Sequence, residues 1–335
     1  MIVDLGTMRA DAEFMQTTQM QGTSTATLPA PRKIRRSPAP AVSVIVPTYN
    51  RADLVTASLD SVAKQTFRDF EIIVVDDGSE DDTRDRIDCR PEMIRYIWQE
   101  NQGVAEARNR ALRITHSEFV AFLDSDDLWQ PTFLERAIAR LREQPDAAMV
   151  YTDFISVDGK GQPIRGHRKN PHDGDVTQAL FTSTFIHTSA VVIRADVVRD
   201  AGGFDGRLTH NEDYDLWLRL SLRHRFSLIN EPLCLRRCHH ESLSRKGCSP
   251  DILRRKAELL EAFYDHGGGD EKIDPTLARQ RIAKLYYTAA KAYLRSNKPK
   301  IARELFAESI RRNPGSLKPR LWQLRTTATS LLSRD

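Results

Sequence analysis

The sequence predicts an α/β domain, with a mostly parallel sheet covered by helices on both faces, followed by an all-helical extension. Three observations carry this. Short apolar, β-rich runs at 42–46, 70–75, 94–98 and 118–123 alternate with segments of helical period, the spacing of successive βαβ units. From residue 251 onward the apolar pattern is helical only. Polar residues stand at the carboxyl ends of the first, second and fourth runs: Thr48 and Asn50, Asp76 and Asp77, Asp124 and Asp126. Parallel strands point the same way, so these groups gather along one rim, where open α/β sheets place their ligands.

Residues 1–40 are rich in Thr, Ser, Gln and Pro, lack usable periodicity, and read as a disordered leader. The first strand ends at Pro47, and a helical pattern follows through Leu54, Val55, Leu59 and Val62, with Asn50 as its expected N-cap. After the second strand, acids at 80–82 suit the first turn of another helix. Residues 104–114 and 132–142 read as helices, and 147–152 as a strand. Residues 158–161 form a turn between extended pieces. A strand at 185–194 leads into a short helix stopped by Gly202 and Gly203. The stretch 211–215 opens a helix with Leu216, Trp217 and Leu220 on its apolar face, and 226–229 and 233–237 are two short strands. Within the extension (251–335), two helices around the link at 296–299 form a hairpin like a single tetratricopeptide unit. One copy cannot stack into a solenoid, so its expected role is to cover the main domain or meet a partner.

The chain has 335 residues, 40% of them hydrophobic, enough for one large domain and an appendage. A net charge of +4 demands no nucleic-acid partner. The basic cluster at 32–36 reads as a solvated or membrane-surface patch. No apolar stretch approaches the roughly 18 residues of a membrane span. The N-terminus carries Asp4 and Asp11 and no apolar core segment, so the expected location is cytoplasmic, with peripheral docking on the inner face of the membrane compatible with the basic leader and helical extension. Cys89, Cys234, Cys238 and Cys248 form no disulfide framework in a chain of this size. Three of them cluster loosely with His239 and His240, but the spacing matches no common zinc signature.

The residues that carry chemistry lie in the run FVAFLDSDDLW at 119–129. A buried strand cannot continue through three carboxylates without stranding charge in low dielectric. Carboxylates crowded at a strand end repel, and a hard divalent ion such as Mg²⁺ or Mn²⁺ relieves this, its shell completed by substrate phosphate and water. One acid would be enough to cap the following helix; two separated by one residue favour a metal–diphosphate site.

Five ordered blocks then carry a resemblance: VSVIVPTYNR (42–51), IVVDDGS (73–79), NQGVAEARN (101–109), FLDSDD (122–127), and GFD (203–205) with Glu212 and Asp213. In order and spacing they resemble the family 2 inverting glycosyltransferases, over about residues 41–245. The resemblance implies a GT-A type fold, with a nucleotide-binding half (41–130) and an acceptor half (131–245). It implies that Pro47, Thr48, Tyr49 and Asn50 line the donor nucleotide pocket, and that Asp77 and Asp124 meet base or ribose. Arg108 lies on the donor side, and Asn101, Gly103 and Ser125 complete the donor set; a plain loop and helix start is the other reading of Asn101 and Gly103. Asp126 binds Mn²⁺ or Mg²⁺, and His239 sits where family members often carry a histidine near the diphosphate, with His240 adjacent. Asp213 is the general base and Glu212 its reserve; as residues alone, both also read as first-turn acids serving a helix dipole. The donor is a nucleotide sugar, UDP by family analogy, and the acceptor a glycan, a lipid-linked sugar or a protein. The processive Gln-x-x-Arg-Trp motif does not follow Asp213, so addition of one sugar or very few per encounter is expected.

Two other functional classes share parts of this pattern. A nucleotidyltransferase would open with a glycine-rich phosphate loop after the first strand, where Pro47, Thr48, Tyr49 and Asn50 stand instead. A non-catalytic nucleotide-sugar sensor or scaffold would keep Asp77 and Asp124 but has no need of Asp213.

Overall fold

The alternating hydrophobic runs form an eight-stranded sheet of order β3-β2-β1-β4-β7-β6-β8-β5 in the computed structural model. The structure describes residues 39–90, 94–159, 161–164, 171–238 and 249–332, with side chains through residue 326. All of them fall in the unit that begins at Ala39. The expected leader lies almost wholly outside the described residues, as does His239.

Strands β1 (Val42–Thr48), β2 (Phe70–Asp76), β3 (Ile94–Trp98) and β4 (Phe119–Phe122) pair in parallel, linked by helices α1 (Ala52–Ala63), α2 (Thr83–Asp88) and α3 (Val104–Ile114). The rest of the sheet is mixed. After β5 (Leu128–Trp129) and α4 (Phe133–Glu143), β6 (Ala147–Val157) runs antiparallel to β7 (Val191–Arg194) and parallel to β8 (Arg225–Arg237). Strand β7 pairs antiparallel with β4, and β5 with β8. Both faces are buried: Val42, Val44, Val46, Ile72 and Val74 point into a core with α1 and α4, while Ile45, Ile73 and Val75 point into one with α3. Alternate residues of a strand face opposite sides, so a strand apolar at every position needs cover on both.

Several expectations are corrected. The stretch 185–194 is not one strand: a 3₁₀ turn, Thr188–Ala190, precedes β7. Residues 226–229 and 233–237 are one strand, β8, whose register against β6 shifts near Pro232. Helix α5 (Thr177–Thr182) and the two-residue strand β5 carried no readable period. Asn50 does not cap α1. It adopts φ 49°, and its Oδ1 accepts from the Glu80 amide at 2.8 Å, tying the loop after β1 to the loop after β2. Asp81 takes the capping role from across the rim, its Oδ2 accepting the Ala52 amide at 3.2 Å.

Helices α6 (Ala195–Asp200) and α7 (Glu212–Ser221) flank the turn at Gly203. There, Asn109 of α3 donates to the Phe204 carbonyl and accepts its amide, at 2.8 and 2.9 Å. A Cβ on Gly203 would stand 2.5 Å from Asn109 Oδ1, so this glycine permits the close approach that ties α3 to the segment leading into α7.

The extension is four helices, α8 (Pro250–His266), α9 (Pro275–Arg295), α10 (Pro299–Arg312) and α11 (Leu317–Leu332). Helices α9 and α10 form the expected hairpin, turned at Asn297 (φ 55°) and pinned by Ser309 Oγ donating to the Ala283 carbonyl at 2.8 Å. Leu260, Phe263, Tyr286 and Phe306 belong to the same continuous core as Phe181 of α5 and Trp217 of α7. No helix among the described residues is long and apolar enough to cross a membrane.

Candidate active site

The parallel strands deliver their polar ends to one rim. At the end of β1, Pro47 and Thr48 are buried and the Thr48 hydroxyl has no hydrogen-bond partner, while Tyr49 and Asn50 are exposed. The Asp77 carboxylate is committed to the neighbouring loop: Oδ1 accepts from Gln99 Nε2 and the Gln102 amide, and Oδ2 from the Gly103 amide, at 2.7–2.9 Å. Gly103, at φ 92°, lets these amides converge before α3 begins. Asn101 stands exposed on the same loop.

At the end of β4 the three acids have different surroundings. Asp124 Oδ1 accepts from Arg108 Nη2 at 2.6 Å, and Arg108 Nη1 donates to Glu212 Oε1 at 2.8 Å. Arg108 is 3% exposed, so one buried guanidinium joins the strand-end acid to the first residue of α7. The ends of this bridge differ electrostatically. Burial raises the Asp124 pKa, but Arg108 and His187 outweigh it and hold the carboxyl below the usual range. Burial and the adjacent Asp213 push Glu212 up against the pull of Arg108. For Arg108, burial opposes its charge and the two acids more than restore it.

Asp127 is 2% exposed and accepts from His187 Nε2 and Ser189 Oγ, both at 2.6 Å, and from the Arg237 amide at 3.1 Å. Ser125 is buried, and its carbonyl and that of Asp127 accept the Ser58 hydroxyl. The Asp126 side chain remains 22% exposed, with Arg51 Nη1 3.9 Å away. Arg237 Nε donates to the Asp126 carbonyl at 2.5 Å and so holds the backbone of this turn.

The 3₁₀ turn after His187 ties the two acid groups together. His187 and Ser189 reach Asp127, and the intervening Thr188 donates to Asp213 Oδ2 at 2.7 Å. Asp213 Oδ1 accepts the Tyr214 amide at 2.7 Å, as befits an acid in the first turn of a helix. Asp213 is partly exposed, whereas Glu212 is 8% exposed and tied to Arg108. The DSDD turn and the start of α7 are thus linked twice, through Arg108 and through the 187–189 turn. Trp129 and Trp217 are both core: Trp129 stacks on Phe133 at 4.4 Å and donates to the Ser189 carbonyl.

Two groups could attract a cation. Asp126 offers partly exposed carboxylate oxygen, a donor type that fits a hard ion sharing its shell with phosphate and water. Atoms of Asp127, His187 and Cys234 also lie within 4.8 Å of one another. Burial and the nearby aspartates push the Cys234 thiol well up, and Asp127 already accepts three hydrogen bonds, one of them from His187, which support the turn.

Burial lowers the His187 pKa, but the charge and hydrogen bond of Asp127 outweigh that and raise it. A raised histidine contributes stability that is complete below its unfolded value, about 6.5, and is lost as pH rises through the folded one. The denaturation midpoint should therefore show a downward component above that pH, and His187→Gln should remove it; identical pH profiles for the two proteins would contradict the pair.

The glycosyl transferase family 2 model matches residues 43–202. A UDP-Glc:α-D-GlcNAc-diphosphoundecaprenol β-1,3-glucosyltransferase of Escherichia coli is 30% identical over 230 residues, 67% of this chain and 87% of that protein. The chain belongs to glycosyltransferase family 2. The chain spans only part of other relatives: it matches 58% of an uncharacterized glycosyltransferase of Rickettsia typhi (30% identity, 54% of this chain). It matches only 30% of the chondroitin synthase of E. coli, at 30% identity over 62% of this chain. Among solved structures, Staphylococcus aureus TarS in complex with UDP-GlcNAc superposes with a TM-score of 0.60 at 20% identity, over 81% of each chain. The mannosyltransferase PcManGT of Pyrobaculum calidifontis, in complex with GDP-Man and Mn²⁺, gives 0.53 at 23% identity, over 88% of this chain and 81% of that one. The family 2 chain thus has a GT-A type fold and is related to enzymes that build polysaccharides and glycoconjugates.

Sequence reasoning missed Thr188, Ser189, Ser58 and Arg237. Hydroxyls carry no positional signal in a sequence, and Arg237 acts through backbone contacts. A lone histidine such as His187 carries no sequence signal of its partner, Asp127, sixty residues away.

Proposed function

We propose that this chain is a metal-dependent, inverting, non-processive glycosyltransferase that moves a sugar from a UDP-sugar to an acceptor hydroxyl in surface polysaccharide or glycoconjugate synthesis. The observation that supports the reading is the Asp124–Arg108–Glu212 bridge together with the 187–189 turn, which tie the DSDD turn to the start of α7.

In this reading Asp213 is the general base. Two hydrogen bonds fix its carboxylate, and its partial exposure leaves room for an acceptor hydroxyl, whose proton it removes as the oxygen attacks. A single base opposite the leaving group gives in-line displacement and inversion. Glu212 positions Arg108 and Asp124. Pro47, Thr48, Tyr49, Asn50, Asn101, Gly103 and Ser125 surround the donor, Asp77 and Asp124 meet its base or ribose, and Arg108 lies on the donor side. Asp126 would hold Mn²⁺ or Mg²⁺, which supplies positive charge to the departing diphosphate. His239 is assigned to the same diphosphate on sequence position. Related proteins support a nucleotide-sugar donor: TarS is seen with UDP-GlcNAc and PcManGT with GDP-Man and Mn²⁺. We assign the catalytic domain to 41–245 and the extension to 251–335, and a cytoplasmic location.

The test is release of nucleoside diphosphate from a panel of UDP- and GDP-sugars with Mn²⁺, Mg²⁺ or EDTA. Metal-dependent release with an inverted product supports the proposal; binding of UDP without release under any condition supports the sensor reading instead.

A further inference from the structure

The helical extension brings cations to the acceptor side of Asp213. Lys256 of α8 donates from Nζ to Thr184 Oγ1 at 2.6 Å and stands 4.6 Å above the ring of Tyr214, the residue that follows Asp213. Arg281 of α9 lies within electrostatic reach of both Lys256 and Tyr214, and its buried Nε has no hydrogen-bond partner. Arg255 Nη1 donates to Thr209 Oγ1 at 2.7 Å, on the segment leading into α7. Among the described residues neither Lys256 nor Arg281 makes an ion pair. The partners of Lys256, the Thr184 hydroxyl and the Tyr214 ring, are neutral, and the acid whose field reaches it is Asp213, which must stay available to a hydroxyl.

Half-buried cations placed side by side cost free energy unless an anion joins them. Burial and Arg281 push the Lys256 pKa down to about 8 against the pull of Asp213. Such perturbed clusters concentrate at functional sites.

We propose that Lys256 and Arg281 form an anion subsite for the acceptor, so that the acceptor is a sugar carrying a phosphate near the hydroxyl that is glycosylated. The inference rests on Asp213 marking the acceptor side. The extension then reads the acceptor, while the sheet rim reads the donor. The phosphate can belong to a soluble sugar phosphate or to a lipid-linked sugar; the recognised group is the same.

The experiment is calorimetric titration of protein saturated with UDP and Mn²⁺, using N-acetylglucosamine, N-acetylglucosamine 1-phosphate and a short-chain polyprenyl-diphosphate N-acetylglucosamine. The phosphorylated sugars should bind at least about tenfold more tightly than the neutral one, a difference of about 1.4 kcal/mol. Lys256→Gln/Arg281→Gln should erase that preference and leave UDP affinity within about twofold, while Lys256→Arg retains the preference. Additional tightening with the lipid-linked probe alone assigns the source to lipid. Equal affinity of the wild-type protein for neutral and phosphorylated sugar overturns the proposal, as does a preference that survives in the double variant. Should the double variant fail to fold by circular dichroism, Lys256→Met and the wild-type comparison decide. Loss of UDP binding by the wild-type protein would count against the donor reading, and the sugar comparison can be made without nucleotide.

Discussion

Asp213→Asn should lower the rate of sugar transfer by about 10²–10⁴-fold, the range for removing a positioned general base, while UDP affinity stays within about twofold. The substitution is nearly isosteric, and the amide oxygen can still accept from Thr188 or the Tyr214 amide, so the turn and α7 keep their shape. A loss of turnover with retained donor binding assigns the proton transfer to this carboxylate. Glu212→Gln provides the contrast. Glu212 is tied to Arg108, so its loss should act through stability and donor-side geometry more than through the chemical step. Unchanged turnover in Asp213→Asn would remove the mechanism proposed here and assign the proton transfer to another group.

Arg108→Met should destabilise the fold by about 3–5 kcal/mol, the range for breaking a buried ion pair by removing one partner. Its guanidinium lies between Asp124 and Glu212 at 2.6 and 2.8 Å, and removing it strands the buried Glu212 beside Asp213 and leaves the partly exposed Asp124 without its cation. Urea denaturation should show a lower midpoint with an unchanged slope. Arg108→Met/Glu212→Gln should recover part of the loss, because one stranded charge is gone. A shift below about 1 kcal/mol would mean the bridge is no more than a surface-grade pair. Partial unfolding confined to α7 would register as a changed slope.

The first half of the fold was legible because strands buried on both faces are nearly continuous apolar runs, and 42–46, 70–75 and 119–123 are such runs, interrupted only by Ser43 and Glu71; the edge strand at 94–98 carries Arg95 as well. The second half was harder to read, since β8 bends past Pro232 and looks like two strands, and β5 has only two residues. Asn50 illustrates the limit of local rules. It has the chemistry of a cap, yet the Glu80 amide competes for the same oxygen, and a partner 30 residues away is invisible to a window of a few positions. The acids themselves were found by their incompatibility with a buried strand. Their division of labour was not, because Asp124, Asp126 and Asp127 differ only in what surrounds them: an arginine, solvent beside Arg51, and a His–Ser pair.

The unbroken apolar packing from Trp217 and Phe181 through Phe263 to Tyr286 and Phe306 bears on how this protein can be re-engineered. A chimera that takes its last eighty or so residues from another family member would meet a mismatched surface on α5 and α7 unless those helices travelled with them. Specificity transplanted between relatives should therefore move as a block that includes the base-bearing helix, and successful natural exchanges are expected to have their crossover points before α5, not at the start of α8.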